Sequence, residues 1–240
     1  MPPAVRAELG PKGRLRAALN LANFLLVTRT PAGPRGIVVD LAGELAKRAQ
    51  LPVEFIGYER PGDVADAVTK DAWDVAFIGA EPARANEIAF SAAYLEIEVT
   101  YLVPAGSKLR ALEDVDRPGV RIAVSARSAY DLYLSRTLKH AELVRAEGID
   151  ASCELFLSRK LEALAGLRPR LLQDVAKLPG AQVLDGRVTA VQQAIGTPKR
   201  RAAAAAYLRE FAEEIKASGL VAELIARHGV LGVNVAPPAG

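Results

Sequence analysis

The sequence predicts an α/β fold with two units, each built on a parallel sheet. Segments rich in β-forming residues alternate with segments whose apolar residues recur at helical spacing, and such alternation is typical of parallel sheets. The alternation occurs twice, and two extended segments, residues 92–104 and 187–195, lie between and after the two series. The first series contains a strand, a helix, a strand, a helix and a strand, at residues 15–21, 36–49, 52–58, 63–69 and 74–79.

The first long helix is predicted from apolar residues at helical spacing, as in Val38, Leu41 and Leu45. After the first series, residues 95–103 alternate between apolar and polar side chains, which predicts a long, half-exposed strand. Residues 161–172 give no definite pattern. The second series is predicted as a strand at 120–124, a polar turn at 125–128, a helix at 129–138 and a strand at 142–145. Two C-terminal helices are predicted at 199–217 and 221–227, with Gly219 between them.

The chain length of 240 residues suffices for two domains with cores of their own. We expect the second unit to be inserted into the first, because the C-terminal helices follow the second extended segment. The predicted lobe 1 is residues 1–98 and 192–240, and the predicted lobe 2 is residues 99–191. Two extended hinge strands would join the lobes.

The composition indicates a globular protein, since 50% of the residues are hydrophobic. The formal net charge of +3 is spread along the chain, and its densest basic run is Pro198–Arg201. We interpret that run as a solvated helix start rather than a phosphate-binding patch. No helix-turn-helix segment precedes residue 15, so we predict no nucleic-acid partner.

The titratable residues of the sequence argue against metal and thiol chemistry. Cys153 is the single cysteine, and His140 and His228 are the two histidines, so we predict no intrachain disulfide, no metal and no cofactor. No stretch is long and apolar enough for membrane insertion, and residues 1–16 lack the apolar core of a secretory signal.

The segment Asp74–Gly79 is the strongest functional signal in the sequence. A strand rich in β-forming residues ends at Gly79, and Arg84 follows on a short helical turn. In open α/β folds, small ligands bind at the carboxyl ends of the strands. The planar guanidinium of an arginine matches the two oxygens of a carboxylate, so Arg84 is the first candidate ligand-binding residue. A salt bridge of Arg84 with Glu81 or Glu87 is the alternative.

The order of these landmarks resembles the extracellular solute-binding proteins of family 3, the amino-acid-type receptors of ABC importers. The resemblance implies a two-lobed, type II periplasmic-binding fold that closes on its ligand. It covers most of the chain, from residue 15 to about 233. It is carried by Leu15–Asn20, Gly36–Leu41, Trp73–Ala76, Arg84 with Ile88–Tyr94, Leu112–Val115, Val120–Val124 followed by Ser128, and Ala212–Leu220.

The resemblance implies that Arg84 holds the α-carboxylate of the ligand. It also implies that backbone amides at Ser128, Ala129 and Tyr130 complete the site, and a helix N-terminus favours an anion on physical grounds as well. Family members that bind α-amino acids usually carry an aspartate in the second lobe that pairs with the ligand's ammonium group. Leu167 occupies that place here, beside Arg168, which disfavours an ordinary α-amino acid.

Several further residues are predicted to contact the ligand. Asn side chains offer both donors and acceptors, and aromatic rings can cover an apolar part of a ligand. Glu81 could receive a ligand amine or could simply begin a helical turn, and Phe24 could equally be a core residue. Gln192 or its neighbour Gln193 should face the ligand. The further candidates are Asn20, Asn23, Phe24, Tyr58, Gly79, Glu81, Arg127 and Gln192.

These observations favour a monomeric binding protein that traps a small, polar, carboxylate-bearing metabolite and delivers it to the permease of an ABC importer. One alternative is a cytosolic ligand sensor on the same fold. Another is an enzyme similar to cyclohexadienyl dehydratases, with Glu81 as the general acid. The resemblance implies a periplasmic protein, whereas the polar N-terminus favours the cytoplasm.

Overall fold

The computed structural model describes residues Met1–Ala239, which divide into two compact units. The first unit comprises Met1–Glu96 and the described residues from Gln192 onward, and the second comprises Ile97–Val191. The chain passes from one unit to the other within two strands, β6 (Ile88–Val103) and β11 (Thr189–Pro198). The α/β prediction is therefore confirmed, with long strands at both crossings.

The elements of the first unit alternate between helix and strand. Before β6 they are α1 (Pro3–Leu9), β1 (Leu15–Asn20), β2 (Thr28–Thr30), β3 (Gly33–Arg35), α2 (Ile37–Ala49), β4 (Val53–Tyr58), α3 (Pro61–Asp66) with a 3₁₀ turn (Ala67–Lys70), and β5 (Val75–Gly79). After β11 they are α7 (Ala202–Ala217), α8 (Leu220–Arg227) and β12 (Val233–Val235).

The second unit repeats this alternation on a smaller scale. After a 3₁₀ turn (Leu112–Asp114), its elements are β7 (Arg121–Ser125), α4 (Ala129–Thr137), β8 (Glu142–Ala146), α5 (Ile149–Ser158), β9 (Ala163–Leu167), α6 (Arg168–Val175) and β10 (Gln182–Val183).

The sheet of the first unit has the order β4–β1–β5–β11–β6, and β12 pairs with β6. Strands β4, β1 and β5 run parallel, whereas β11 runs antiparallel to β5. Asn20 pairs with Tyr58 at the carboxyl ends of β1 and β4, and Gly79 ends β5 beside them. One edge of this sheet therefore collects three of the predicted site residues.

The sheet of the second unit has the order β6–β9–β7–β8, with β10 also paired to β6. Strands β9, β7 and β8 run parallel, and β6 runs antiparallel to β9. The parallel strands end at Leu167, Ser125 and Ala146, so the segments that follow them share an edge.

Each unit has its own apolar core. In the first unit, Trp73 is fully buried among apolar side chains and donates its indole N–H to the Val64 carbonyl at 2.9 Å. In the second unit, Phe156 and Leu171 pack with Leu102 and Ala123 across the sheet.

Strand β6 is longer and more buried than the sequence predicts. It begins at Ile88 rather than residue 95, and Thr100 and Leu102 are fully buried although the alternation assigned the polar face to solvent. The correction has a tertiary cause. Leu102 packs in the second core, and the Thr100 hydroxyl is satisfied by the Leu184 carbonyl at 3.1 Å.

The sequence did not predict helices α1 and α5, the β2–β3 hairpin or the short strands β10 and β12. The region that gave no definite pattern contains β9 and the start of α6. Helix α1 is held by contacts distant in sequence, since Arg6 donates to the Ala49 carbonyl at 2.9 Å and Glu8 accepts from the Ala204 N–H at 2.8 Å. These contacts place a cation at the end of α2 and an anion at the start of α7, as the helix dipoles favour.

The basic run before α7 is solvated at Lys199 and Arg200, as predicted, but not at Arg201. The Arg201 side chain is 8% exposed and donates to Asp74 at 2.6 Å and to Asp71 at 2.9 Å. Asp74 is fully buried and also accepts from the backbone and guanidinium of Arg16, at 2.8–3.0 Å. The interpretation fails at Arg201 because these carboxylates lie more than 120 residues before it in the sequence.

The pair of Arg121 and Glu162 predicts a pH dependence of stability. The side-chain hydrogen bond from Arg121 lowers the pKa of Glu162, so the pair stabilises the fold above the unfolded-state pKa, about 4.3. This contribution is lost as the pH falls through the lower folded-state pKa. We expect Glu162→Gln to destabilise the protein at pH 7 and to match the wild type more closely near pH 3, in urea unfolding at both pH values. A difference that stays constant with pH would contradict this assignment.

Candidate ligand-binding site

Arg84 lies just beyond the carboxyl end of β5, where the sequence predicted it. The chain makes tight turns there, because the Arg84 N–H donates to the Glu81 carbonyl at 2.9 Å and the Ile88 N–H donates to the Arg84 carbonyl at 3.1 Å. The residue is only 6% exposed, and its Nη1 donates to the Gly79 carbonyl at 2.7 Å. The backbone therefore orients a guanidinium that is buried at the strand end.

The turn after β1 carries three other candidates. The Asn20 side chain accepts from the Ala22 N–H at 3.3 Å, which folds the chain back at the strand end. Asn23 is 5% exposed, and its Oδ1 has no hydrogen-bond partner among the described residues. Phe24 is half-buried. Asn23 is therefore the candidate in this turn with a free, buried acceptor.

Strand β11 lies next to Gly79. The Gln192 carbonyl accepts from the Ala80 N–H at 2.8 Å, and Gln193 pairs with Gly79. The Gln192 side chain donates to Glu96 at 3.1 Å. Of the two glutamines, Gln193 is buried and Gln192 is half-buried, and the contacts assign Gln192 a partner on β6.

In the second unit, α4 begins immediately after β7, as predicted. Ser128 is its N-cap, and the Ser128 hydroxyl accepts from the Asp131 N–H at 3.1 Å. The first-turn N–H groups of Ala129 and Tyr130 have no partner within the helix by geometry, so they are available to an anion. Both residues are buried.

Arg127 precedes this cap in a left-handed conformation, with φ +58°. Its N–H donates to the Asp131 carboxylate at 2.7 Å, and its side chain is exposed. The second unit thus offers an exposed cation next to a helix N-terminus.

Burial raises the pKa of Tyr130 to about 12, against the opposing effect of its hydrogen bonds with Ser128 and Ser125. The phenol is therefore neutral at physiological pH. It lies in the field of Arg170, which donates to Asp174 at 2.9 Å and contacts Asp150 at 2.7 Å. We therefore assign Tyr130 a packing role at the edge of the second unit's sheet and no acid–base role.

Leu167 and Arg168 lie at the same edge of the second unit's sheet, where β9 ends, but their environments differ. Leu167 is 5% exposed at the end of β9 and pairs with Val99. Arg168 donates to Glu98 at 2.9 Å and to the Gly186 carbonyl, so its charge is paired within the second unit. The ligand roles of both residues stay predictions.

A separate cavity of about 350 Å³ lies within the first unit. Its lining comes from β1, β4 and the β2–β3 hairpin, and it includes no predicted site residue. It is formed by Leu19, Leu21, Arg29, Thr30, Gly33, Pro34, Phe55 and Gly57.

Among residues 1–239, no group of three or more His, Cys, Asp or Glu side chains could hold a metal ion. None of the helices in that range is long and apolar enough to cross a membrane. Burial raises the pKa of Cys153, so its thiol is neutral at pH 7.

Sequence reasoning missed Asp131 and its partner Arg145. The Asp131 carboxylate accepts from the Arg127 N–H, and the Asp131 N–H donates to the Ser128 hydroxyl. Asp131 is 3% exposed, and the Arg145 Nε donates to its Oδ1 at 3.0 Å. The spacing of Ser128 and Asp131, three residues apart, is that of a capping box and could have indicated the contact. Arg145 has no such local signal.

The match to a family model decides the class of protein. Residues 21–230 match the model of bacterial extracellular solute-binding proteins, family 3. The chain belongs to this family. The predicted resemblance is thereby confirmed, and no curated protein matches the sequence significantly.

Solved structures show the same fold. This family 3 protein is similar to a mutant of ArgBP from T. maritima, with 23% identity over 93% of this chain and 98% of that chain, and a TM-score of 0.74. It is also similar to an ancestral amino-acid-binding protein, a precursor of cyclohexadienyl dehydratase, with 21% identity over 92% and 97% of the chains and a TM-score of 0.75.

A third similar structure is a protein of Wolinella succinogenes DSM 1740, assigned as the binding component of an ABC transporter and complexed with lysine. It has 19% identity over 90% of this chain and 95% of that chain, and a TM-score of 0.75. These likenesses confirm the type II periplasmic-binding fold of the family 3 protein.

Proposed function

We propose that this family 3 protein binds a small carboxylate-bearing metabolite and delivers it to an ABC importer. The observation that carries the proposal is the buried Arg84, oriented by the Gly79 carbonyl at the carboxyl end of β5. Family membership supports solute binding, and the ABC transporter component among the similar structures supports the importer as partner.

The proposed role of Arg84 follows from the shape and the burial of its side chain. A ligand carboxylate can take two N–H groups of a guanidinium in the plane of the fork, and such a charge-assisted contact is stronger where the guanidinium is only 6% exposed to water. Its hydrogen bond to Gly79 restricts the side chain, so less conformational entropy is lost on binding.

In the second unit, the N–H groups of Ala129 and Tyr130 would bind a carboxylate, because the start of α4 carries a positive partial charge. The rest of the contact would be apolar at Leu167, which is buried and cannot pair with an ammonium group. We therefore propose a carboxylate other than an ordinary α-amino acid, such as a keto acid.

The ligand would act only by shifting the balance between open and closed arrangements of a hinge. The hinge would lie in β6 and β11, where the chain passes between the units. As the family description is extracellular, we propose that the protein works outside the cytoplasm and as a monomer.

A thermal-shift screen tests the proposal, with amino acids, keto acids, dicarboxylates, opines and polyamines as the panel. A ligand at about 100 times its dissociation constant should stabilise the folded protein by roughly 2.7 kcal/mol. We expect a carboxylate to give the largest shift, and we expect Arg60→Ala, a matched surface arginine paired with Asp63, to keep that shift. A polyamine hit without any carboxylate hit would contradict the proposal.

A dehydratase is the second candidate, supported by the similar ancestral structure that is a precursor of cyclohexadienyl dehydratase. Glu81 would be the general acid, since it lies one helical turn before Arg84 and is half-buried. Loss of prephenate or arogenate from solution, abolished by Glu81→Gln, would favour the enzyme over the binding protein.

A further inference from the structure

The contacts around Asp131 point to a role for Arg145 that rests on the proposed function. Asp131 holds the turn before α4 in place by two hydrogen bonds. Its carboxylate accepts from the Arg127 N–H at 2.7 Å, and its own N–H donates to the Ser128 hydroxyl at 3.1 Å. A left-handed conformation is costly for an arginine, so the turn needs such a brace.

The brace introduces an electrostatic problem. Asp131 is 3% exposed and lies in the first turn of α4, within a few residues of the N–H groups proposed to receive the ligand's carboxylate. A buried negative charge there would repel an anion, and repulsion is screened least where water is excluded.

Arg145 supplies the opposite charge from the neighbouring strand β8. Its Nε contacts both carboxylate oxygens of Asp131, at 3.0 and 3.3 Å, and its Nη2 donates to the Ser135 hydroxyl at 2.8 Å. Ser135 in turn donates to the Asp131 carbonyl at 2.7 Å. The Arg145 guanidinium is thus hydrogen-bonded both to the Asp131 carboxylate, whose charge it neutralises, and to Ser135 on α4.

We propose that Arg145 is a positioning residue for anion binding: it neutralises Asp131, so that Asp131 can hold the α4 turn without repelling the ligand's carboxylate. Arg145 does not touch the ligand in this arrangement. Its effect on binding is electrostatic and acts through Asp131.

The test is an NMR titration of ¹⁵N-labelled protein with acetate, which is a simple carboxylate. The chemical shifts of the Ala129 and Tyr130 amides report acetate binding. We expect these amides to titrate in the wild type, and we expect Arg145→Gln to weaken the apparent affinity by roughly fivefold to twentyfold at low salt, because Asp131 is then unpaired. The loss should change little as salt is added, because Asp131 is buried and a buried charge is screened much less than an exposed one. Arg145→Lys should keep most of the affinity.

The matched control is Arg121→Gln, at the other end of β7. Arg121 also pairs with a carboxylate, Glu162, at 2.8 Å, but away from α4. The two arginine side chains have similar exposure, 36% and 46%, whereas the side chain of Glu162 is 35% exposed and that of Asp131 only 4%. We expect Arg121→Gln to leave the acetate affinity unchanged. The double variant Asp131→Asn with Arg145→Gln should regain affinity relative to Arg145→Gln alone, because the unpaired charge is gone.

Three outcomes would overturn the role of Arg145. The first is acetate binding that Arg145→Gln leaves unchanged, and the second is an equal loss in Arg121→Gln. In both cases, the proposed carboxylate site at α4 would stand. The third is the absence of any acetate shift at Ala129 and Tyr130 in the wild type, which would also remove α4 from the proposed function while leaving Arg84 to be judged by the ligand screen.

Discussion

Arg84→Ala is expected to weaken binding of the carboxylate ligand by about 2–5 kcal/mol, or roughly 30-fold to several thousand-fold in the dissociation constant. Arg84 is buried, so water does not reach this position freely. A ligand carboxylate bound there in the variant would therefore lack the guanidinium partner and would not be hydrated in its place. Isothermal titration with the strongest carboxylate of the ligand screen measures the change.

Two controls separate binding from folding in this experiment. The variant also removes the partner of the Gly79 carbonyl, so urea unfolding must show that the apo protein remains folded. Arg84→Lys keeps the charge but not the planar fork, and we expect an intermediate loss. An affinity that Arg84→Ala leaves unchanged would refute the assignment of the carboxylate site.

Asp74→Ala is expected to destabilise the first unit by about 3–5 kcal/mol, the largest stability effect that we predict. Asp74 is fully buried, and its carboxylate accepts from both Arg16 and Arg201, whose side chains are 7% and 8% exposed. Removing it leaves two buried cations with Asp71, which is 41% exposed, as their remaining charged partner. Urea unfolding at pH 7 measures the loss.

The matched control is Asp63→Ala. Asp63 also pairs with an arginine, Arg60, at 2.9 Å, but both side chains are largely solvated, at 32% and 45% exposure. We expect a loss within about 1 kcal/mol there. Equal losses in the two variants would show that the buried network contributes no more than a surface pair. Asp74→Asn should lie between them, because it keeps the shape but not the charge.

Local patterns were sufficient to predict the elements around the candidate site. Strand β5 and the turn to Arg84 could be read from a run of β-forming residues that ends at glycine, and α4 from Ser128 and the helical pattern after it. Such signals are local because strand propensity and helix capping involve residues a few positions apart.

Other features depend on partners distant in sequence. The alternation of residues 95–103 assigned one face of β6 to solvent, but the second core covers that face at Leu102. Helix α1 is too short to be stable by itself and depends on Ala49 and Ala204. No local pattern records either contact.

The sequence by itself determined the family, the α/β class and the place of Arg84 at a strand end, because these depend on periodicity and on the order of landmarks. Only the tertiary structure decided the environment of each charge. Arg84 and Arg201 are buried, Arg168 is paired with Glu98, and Asp131 is neutralised by Arg145. The reason is physical: the energy of a charge depends on burial and on its nearest opposite charge, and folding brings that partner from anywhere in the chain.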